Sequence, residues 1–111
     1  MPHCLIEHAN TLDAELLLPL VFSGALDSNL FEADGSDIKV RNIAYDHYLV
    51  GQSKTGFIHI VLKLLSGRNH EEKQLLSQSV LQQLETLNLK QCSVTIEVID
   101  IDRDSYTKSV T

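Results

Sequence analysis

The feature that most constrains the fold is a pattern of strand, helix and strand that occurs twice along the 111-residue chain. Short apolar or alternating runs predict the strands, and longer runs with apolar residues at helical spacing predict the helices. A turn cluster at residues 51–56 separates the two halves. The predicted order is strand 3–8, helix within 14–30, strand 38–50, strand 57–65, helix from about His70, and strand 93–101.

The first helix has a proline inside its leucine-rich segment, at Pro19. Proline is accepted in the first turn of a helix but breaks a helix interior. We therefore expect the regular helix to begin near Leu18 or Pro19 rather than at Asp13. It should end before the turn at residues 34–36.

The second helix has a clear start signal, because Asn69 is followed three residues later by Glu72 and the pair resembles a capping box. Its apolar residues recur at helical spacing and predict one buried face. That face comprises Leu76, Val80, Leu81, Leu84 and Leu87.

Two β-α-β units favour an α+β fold, in which a four-stranded sheet carries both helices on one face. Residues 1–111 are read as a single domain of this kind. The helices cover only one face of the sheet, so the other face is left open. We expect other subunits to bury that open face.

Composition and cysteine usage suggest a cytoplasmic protein. The longest apolar stretches, residues 16–22 and 58–65, are interrupted and too short to span a bilayer, and the chain start lacks the pattern of a secretory signal. The two cysteines are too few for a disulfide framework, so both are expected to be free thiols. Cys4 should lie on the same strand face as Ile6, as a small core residue.

The formal net charge of −6 argues against nucleic-acid binding, because nine Lys and Arg are scattered among fifteen acids. An anionic metabolite would need a local group of cations. Alternation along the second strand projects Lys39 and Arg41 together on one face. We expect no metal site, since the five histidines and two cysteines show no ligand spacing.

Pro2 follows the initiator methionine and opens the first strand. If Met1 is removed, Pro2 becomes a secondary amine, which carries a lone pair and can take a proton. A strand that begins with such an amine could place a general base at the wall of a pocket. Proline at position 2 also occurs for processing reasons alone, so the pattern has two readings.

The order and spacing of several short motifs resemble the tautomerase superfamily, and within it the 5-carboxymethyl-2-hydroxymuconate isomerase family. The resemblance runs from Pro2 to about Tyr106. Its motifs are the Met1-Pro2-His3 start, Leu18-Pro19, Lys39-x-Arg41, Phe57-Ile58-His59-Ile60, Lys63-x-x-Ser66-Gly67-Arg68 and Thr95-Ile96-Glu97-Val98.

The resemblance implies a homotrimer whose site is completed by a neighbouring subunit and that uses neither metal nor cofactor. It implies that Pro2 is the catalytic base of a keto–enol isomerisation in the catabolism of aromatic compounds. Arg41 and Arg68 match family arginines and would hold the carboxylates of an unsaturated dicarboxylate or polarise its carbonyl.

One position departs from the family pattern, which has arginines at two alternate positions of the second strand. This chain has Lys39 and then Arg41. Lysine keeps the charge but lacks the planar fork that binds a carboxylate with two hydrogen bonds, so substrate preference is expected to differ. Alternatively, a local shift lets Arg41 take the place of the missing arginine. Two alternatives stay open: a trimeric binding module without chemistry, and another reaction at the same proline, such as decarboxylation or dehalogenation.

For a few other side chains the sequence allows both a structural and a functional role. Tyr45, Tyr48 and Phe57 could line a pocket over a conjugated substrate, but packing is the favoured reading. His3 is expected to pack or to form hydrogen bonds rather than to act in catalysis. Glu7, a carboxylate on the first strand, is expected to form a salt bridge or a subunit contact.

Overall fold

The computed structural model describes all 111 residues and contains four strands and two helices in the order predicted from the sequence. The two halves of the chain have the same order of elements. These elements are β1 His3–Ala9, α1 Ala14–Asp27, β2 Lys39–Tyr45, β3 Gly56–Leu65, α2 His70–Glu85 and β4 Cys92–Ile101.

The four strands form one mixed sheet in the order β2-β1-β3-β4. Each β-α-β unit contributes a parallel pair, β1 with β2 and β3 with β4. The two units join through an antiparallel pairing of β1 with β3, in which Glu7 lies opposite His59. As a result, β1 and β2 begin at the end of the sheet where β3 and β4 finish.

The hydrophobic core lies between the sheet and the two helices. Alternate residues of the central strands point into it, because successive side chains of a strand face opposite sides. Both the α+β fold and the placement of both helices on one face are confirmed. The fully buried strand residues include Cys4, Ile6, Ile58, Ile60 and Leu62, and the helices contribute Leu17, Val21, Leu76 and Val80. Neither helix is long and apolar enough to cross a membrane.

The opposite face of the sheet has no helix over it. A cavity of about 370 Å³ lies there, lined by apolar side chains such as Leu5 and Val61 together with charged ones. Ile43 and Ile99 are 59% and 39% exposed on the same face. A single chain therefore leaves substantial apolar surface uncovered on this side.

The predicted start of α1 is wrong, because the helix begins at Ala14 and Pro19 lies inside it. Asp13 caps the helix by accepting a hydrogen bond from the Glu15 amide at 3.0 Å. Pro19 removes one amide donor from the helix, and its side chain is exposed rather than packed in the core. Packing of the buried face outweighs this local penalty.

Other element limits agree closely with the sequence, with one exception. The Asn69 and Glu72 capping box is present, and α1 ends at Asp27, before residues 34–36. The strand predicted over 38–50 is too long, since β2 ends at Tyr45. Its partner β1 ends at Ala9, so the residues after Tyr45 have no strand with which to pair.

The two helices meet at a close contact at Gly24. A Cβ atom built on Gly24 would lie 2.6 Å from the Cα of Val80 in α2. The Ser79 hydroxyl donates a hydrogen bond to the Gly24 carbonyl at 2.7 Å across the same contact. Glycine is therefore required by the approach of one backbone to another.

We predict that Gly24→Ala destabilises the protein, although alanine is the better helix former. The added methyl group must push α2 away from α1, at an expected cost of about 1–3 kcal/mol. Urea denaturation followed by circular dichroism measures the change. Gln78→Ala, at an exposed position of α2, is the control and should change the free energy of unfolding by less than about 0.5 kcal/mol. A Gly24→Ala variant as stable as the wild type would contradict the close contact.

Candidate active site

The candidate site lies at the end of the sheet where the chain begins. Lys39 and His3 lie side by side there at the start of β2 and β1. The turn that carries Arg68 follows β3 at the same end, and the chain that leaves β4 begins there as well. The topology thus brings together residues that are far apart in sequence.

Pro2 is fully buried at the entry to β1. Its carbonyl accepts a hydrogen bond from the Lys39 amide at 3.2 Å, which extends the pairing of β1 with β2 to the chain start. Met1 precedes it, so the nitrogen of Pro2 belongs to a peptide bond and the free amine is that of Met1. Removal of Met1 would move the free amine to Pro2 at the same place in the fold.

The amine at the chain start lies in a partly desolvated and cationic environment. Burial lowers the pKa of the Met1 amine from its ordinary value. Lys108, Lys39 and Arg68 lie close enough to lower this pKa further, whereas Asp37, with Oδ2 3.9 Å from the amine, raises it. Both burial and nearby positive charge favour the neutral form of an amine, which is the form that accepts a proton.

The three cationic residues singled out from the sequence have different positions. The Lys39 ammonium lies 3.7 Å from the Met1 sulfur. Arg68 lies just before α2, and its guanidinium donates to the carbonyl of Leu30, which follows α1. Arg41 lies two residues further along β2, on the open face, and its Nη1 is 3.3 Å from the Nδ1 of His3. Lys39 and Arg68 therefore lie near enough to the chain start to lower the pKa of its amine, and Arg41 contacts His3 in the same region.

Sequence reasoning missed three residues near the chain start. Asp37 and Lys108 both influence the Met1 amine. Tyr106 contacts His3, with its hydroxyl 3.0 Å from Nε2. The polar tail after β4 shows no periodicity, so no local pattern indicates that it returns to the beginning of the chain.

The aromatic residues considered as a pocket lining pack against one another instead. The ring centroids of Tyr48 and Phe57 are 5.1 Å apart, and those of Tyr45 and Phe57 are 6.1 Å apart. This cluster lies at the opposite end of the sheet from Pro2. Glu7 accepts a hydrogen bond from the Tyr45 hydroxyl at 2.5 Å and forms no salt bridge within the chain, contrary to one of its two expected roles.

The remaining reactive side chains take structural positions. Burial raises the pKa of the Cys4 thiol to about 12, so this residue is an unreactive part of the core as expected. Neither cysteine is in a disulfide. No group of three or more His, Cys, Asp or Glu side chains comes together in a way that could hold a metal ion.

The β-α-β duplication and the four-stranded sheet with both helices on one face are the arrangement of the tautomerase fold. The model of one family, 5-carboxymethyl-2-hydroxymuconate isomerase, matches residues 2–109. The chain therefore belongs to the 5-carboxymethyl-2-hydroxymuconate isomerase family, and the family assignment made from the short motifs is confirmed. No curated protein matches the sequence.

Solved structures support the same fold at low sequence identity. A 5-carboxymethyl-2-hydroxymuconate isomerase from Deinococcus radiodurans R1 is 18% identical, with a TM-score of 0.77 over 99% of this chain and 90% of that one. A 5-carboxymethyl-2-hydroxymuconate delta-isomerase is 15% identical, with a TM-score of 0.71 over 100% and 89%. A fused 4-OT wild-type symmetric trimer is 19% identical, with a TM-score of 0.74 over 92% and 88%.

Proposed function

We propose that this protein is a keto–enol isomerase in which Pro2, exposed as an amine by removal of Met1, is the general base. The proposed substrate is an unsaturated dicarboxylate of the 2-hydroxymuconate type, or its relative 5-carboxymethyl-2-hydroxymuconate, which carries a third carboxylate. One observation supports the proposal above the others: the chain start is partly buried and lies among Lys39, Arg68 and Lys108. Membership of the isomerase family supports the class of reaction.

The proposed reaction moves one proton from an oxygen atom to a carbon atom of the substrate and shifts its conjugated double bonds by one position. The neutral Pro2 nitrogen takes the proton from the hydroxyl of a dienol, and the electron pair shifts along the conjugated chain. The protonated pyrrolidine then returns the proton to a carbon atom of the substrate, which leaves a ketone. No atom is gained or lost, so no further reactant is needed.

The cations have two tasks in this proposal. Lys39 and Arg68 bind carboxylate groups and stabilise the negative charge that develops on the substrate oxygen as the proton leaves. They also disfavour protonation of the amine between them. Arg41 is the third proposed binding residue, through its guanidinium on the open face beside His3.

Two alternative functions are compatible with the same fold. A binding module would keep the cations but would not need the Pro2 amine. A different reaction at the same proline, such as decarboxylation or dehalogenation, would need the amine and a different substrate. The isomerase reading is favoured because the matched family is one of isomerases.

We predict that Pro2→Ala lowers turnover of 2-hydroxymuconate-type dienols by about 10²–10⁴-fold, the range expected for loss of a positioned general base. Alanine at position 2 also permits removal of Met1, so the variant keeps an amine but loses the pyrrolidine. Ultraviolet absorbance follows ketonisation, and intact mass establishes the state of the N-terminus. Pro19→Ala, at the exposed face of α1, is the control.

Two results would overturn this mechanism. One is activity in Pro2→Ala equal to that of the wild type. The other is full activity in protein whose mass shows that Met1 is retained, since an amide nitrogen is not a base. Binding of dicarboxylates without turnover in correctly processed protein would favour the binding module.

We predict that Lys39→Arg lowers KM for a dicarboxylate substrate by about threefold to tenfold, because a guanidinium binds a carboxylate with two parallel hydrogen bonds. Steady-state kinetics on the dienol measures the change. Lys90→Arg, an equivalent substitution at an exposed position near the opposite end of the sheet, should leave KM unchanged. An unchanged or higher KM in Lys39→Arg would mean that Lys39 does not bind a carboxylate.

We also propose that the protein is a homotrimer that buries the open face of the sheet. The exposed Ile43 on this face and the symmetric trimer formed by the fused 4-OT relative support this assembly. We predict that Ile43→Lys shifts the mass measured by light scattering from three chains toward one. Leu75→Lys, at a position 50% exposed on α2, should not. A wild-type protein that is monomeric at micromolar concentration would contradict the proposal.

A further inference from the structure

The C-terminal tail, residues 102–111, returns across the end of the sheet that carries the candidate site. Arg103 connects the start of the tail to the end of β3, because the Nε and Nη2 of Arg103 donate hydrogen bonds to the Ser66 carbonyl at 3.0 and 2.8 Å. A turn follows, in which the Tyr106 amide donates to the Asp102 carbonyl at 3.1 Å. The tail thereby passes from the end of β4, over the end of β3, to the start of β1.

At the start of β1, Tyr106 of the tail contacts His3. Its hydroxyl lies 3.0 Å from Nε2 of His3, and the two rings meet edge to face with centroids 6.2 Å apart. The other ring nitrogen, Nδ1, lies 3.3 Å from Nη1 of Arg41. Three side chains from the tail, β1 and β2 thus form one continuous chain of hydrogen bonds.

The direction of these hydrogen bonds follows from the groups involved. A guanidinium has only donors, so Nδ1 of His3 must be the acceptor. The proton of a neutral imidazole is then on Nε2, which donates to the Tyr106 hydroxyl. Burial, Arg41, Lys39, the amine of the chain and Lys63 all lower the pKa of His3, which keeps the ring neutral.

We propose that Tyr106 is a positioning residue for substrate binding, which orients the His3 ring and accepts its Nε2–H, and so stabilises the tautomer that holds the Arg41 guanidinium in place. The inference rests on the proposed function, because Arg41 is there a ligand of a substrate carboxylate. Without the Tyr106 hydroxyl, Nε2–H of His3 loses its acceptor and the ring can take the other tautomer. Nδ1–H would then face the guanidinium, donor against donor, and Arg41 would be released.

Two measurements on Tyr106→Phe test the inference without requiring turnover. Nitrogen-15 NMR of the imidazole reports the tautomer of His3, and calorimetry with cis,cis-muconate, an unsaturated dicarboxylate, reports binding. We expect the wild type to hold the proton on Nε2 and the variant to show a mixture of tautomers. We expect muconate binding to weaken about fivefold, as for the loss of one hydrogen bond. Tyr48→Phe, whose ring packs at the far end of the sheet, is the matched control and should change neither.

A double-mutant cycle shows whether Tyr106 acts through Arg41. In an Arg41→Ala background, Tyr106→Phe should no longer weaken muconate binding, because the group that it holds is gone. An equal loss in both backgrounds would overturn the inference, as would wild-type protein that does not bind muconate or a His3 tautomer unchanged in Tyr106→Phe. In turnover assays, the inference requires that Tyr106→Phe raises KM and leaves kcat unchanged.

These results are separable from a failure of the proposed function. Full turnover in Pro2→Ala would refute the role of Pro2 as general base. It would not change the His3 tautomer or the muconate affinities measured for the wild type and Tyr106→Phe. A Tyr106→Phe variant that behaves as the wild type in NMR and calorimetry would refute the inference and leave the role of Pro2 unaffected.

Discussion

Burial of one side of β3 is the interaction on which the rest of the structure depends. Ile58, Ile60, Leu62 and Leu64 are all enclosed between the sheet and the helices, and β3 is the strand that joins the two halves. Because strand side chains alternate, fixing these residues inward fixes the others outward. The register also sets where β3 stops, and therefore where the turn with Arg68 projects.

The elements followed from the sequence where local signals and packing agree. The Asn69 capping box and the alternation of the strands are consistent with the core, so their limits were predicted closely. The start of α1 differs from the prediction because the helix-breaking tendency of Pro19 conflicts with burial of the apolar face of the helix. Burial of that face prevails. The end of β2 depends on where its neighbour β1 stops, which is not a property of its own residues.

The candidate site could be predicted only in part. The cations of β2 lie in a regular strand and Pro2 lies directly before β1, so their placement follows from the strand geometry. The contributions of Asp37, Tyr106 and Lys108 depend on the return of loops and the tail to the chain start, which is a long-range event without a periodic signal. The same geometry explains how a chain with a net charge of −6 gathers several cations near its amino terminus, since the topology brings them together there.

The two halves of the chain share the same order of elements, but the second half lacks the terminal amine and the cation found at the start of the first. β3 is the counterpart of β1, yet it starts at Gly56 in the middle of the chain, where the nitrogen is part of a peptide bond. Where β2 sets Lys39 beside His3, β4 sets Ser93 beside Phe57. Each polypeptide has two β-α-β repeats but only one amino terminus. Under the proposed mechanism each polypeptide therefore holds one catalytic centre, and the second repeat is free to diverge as scaffold.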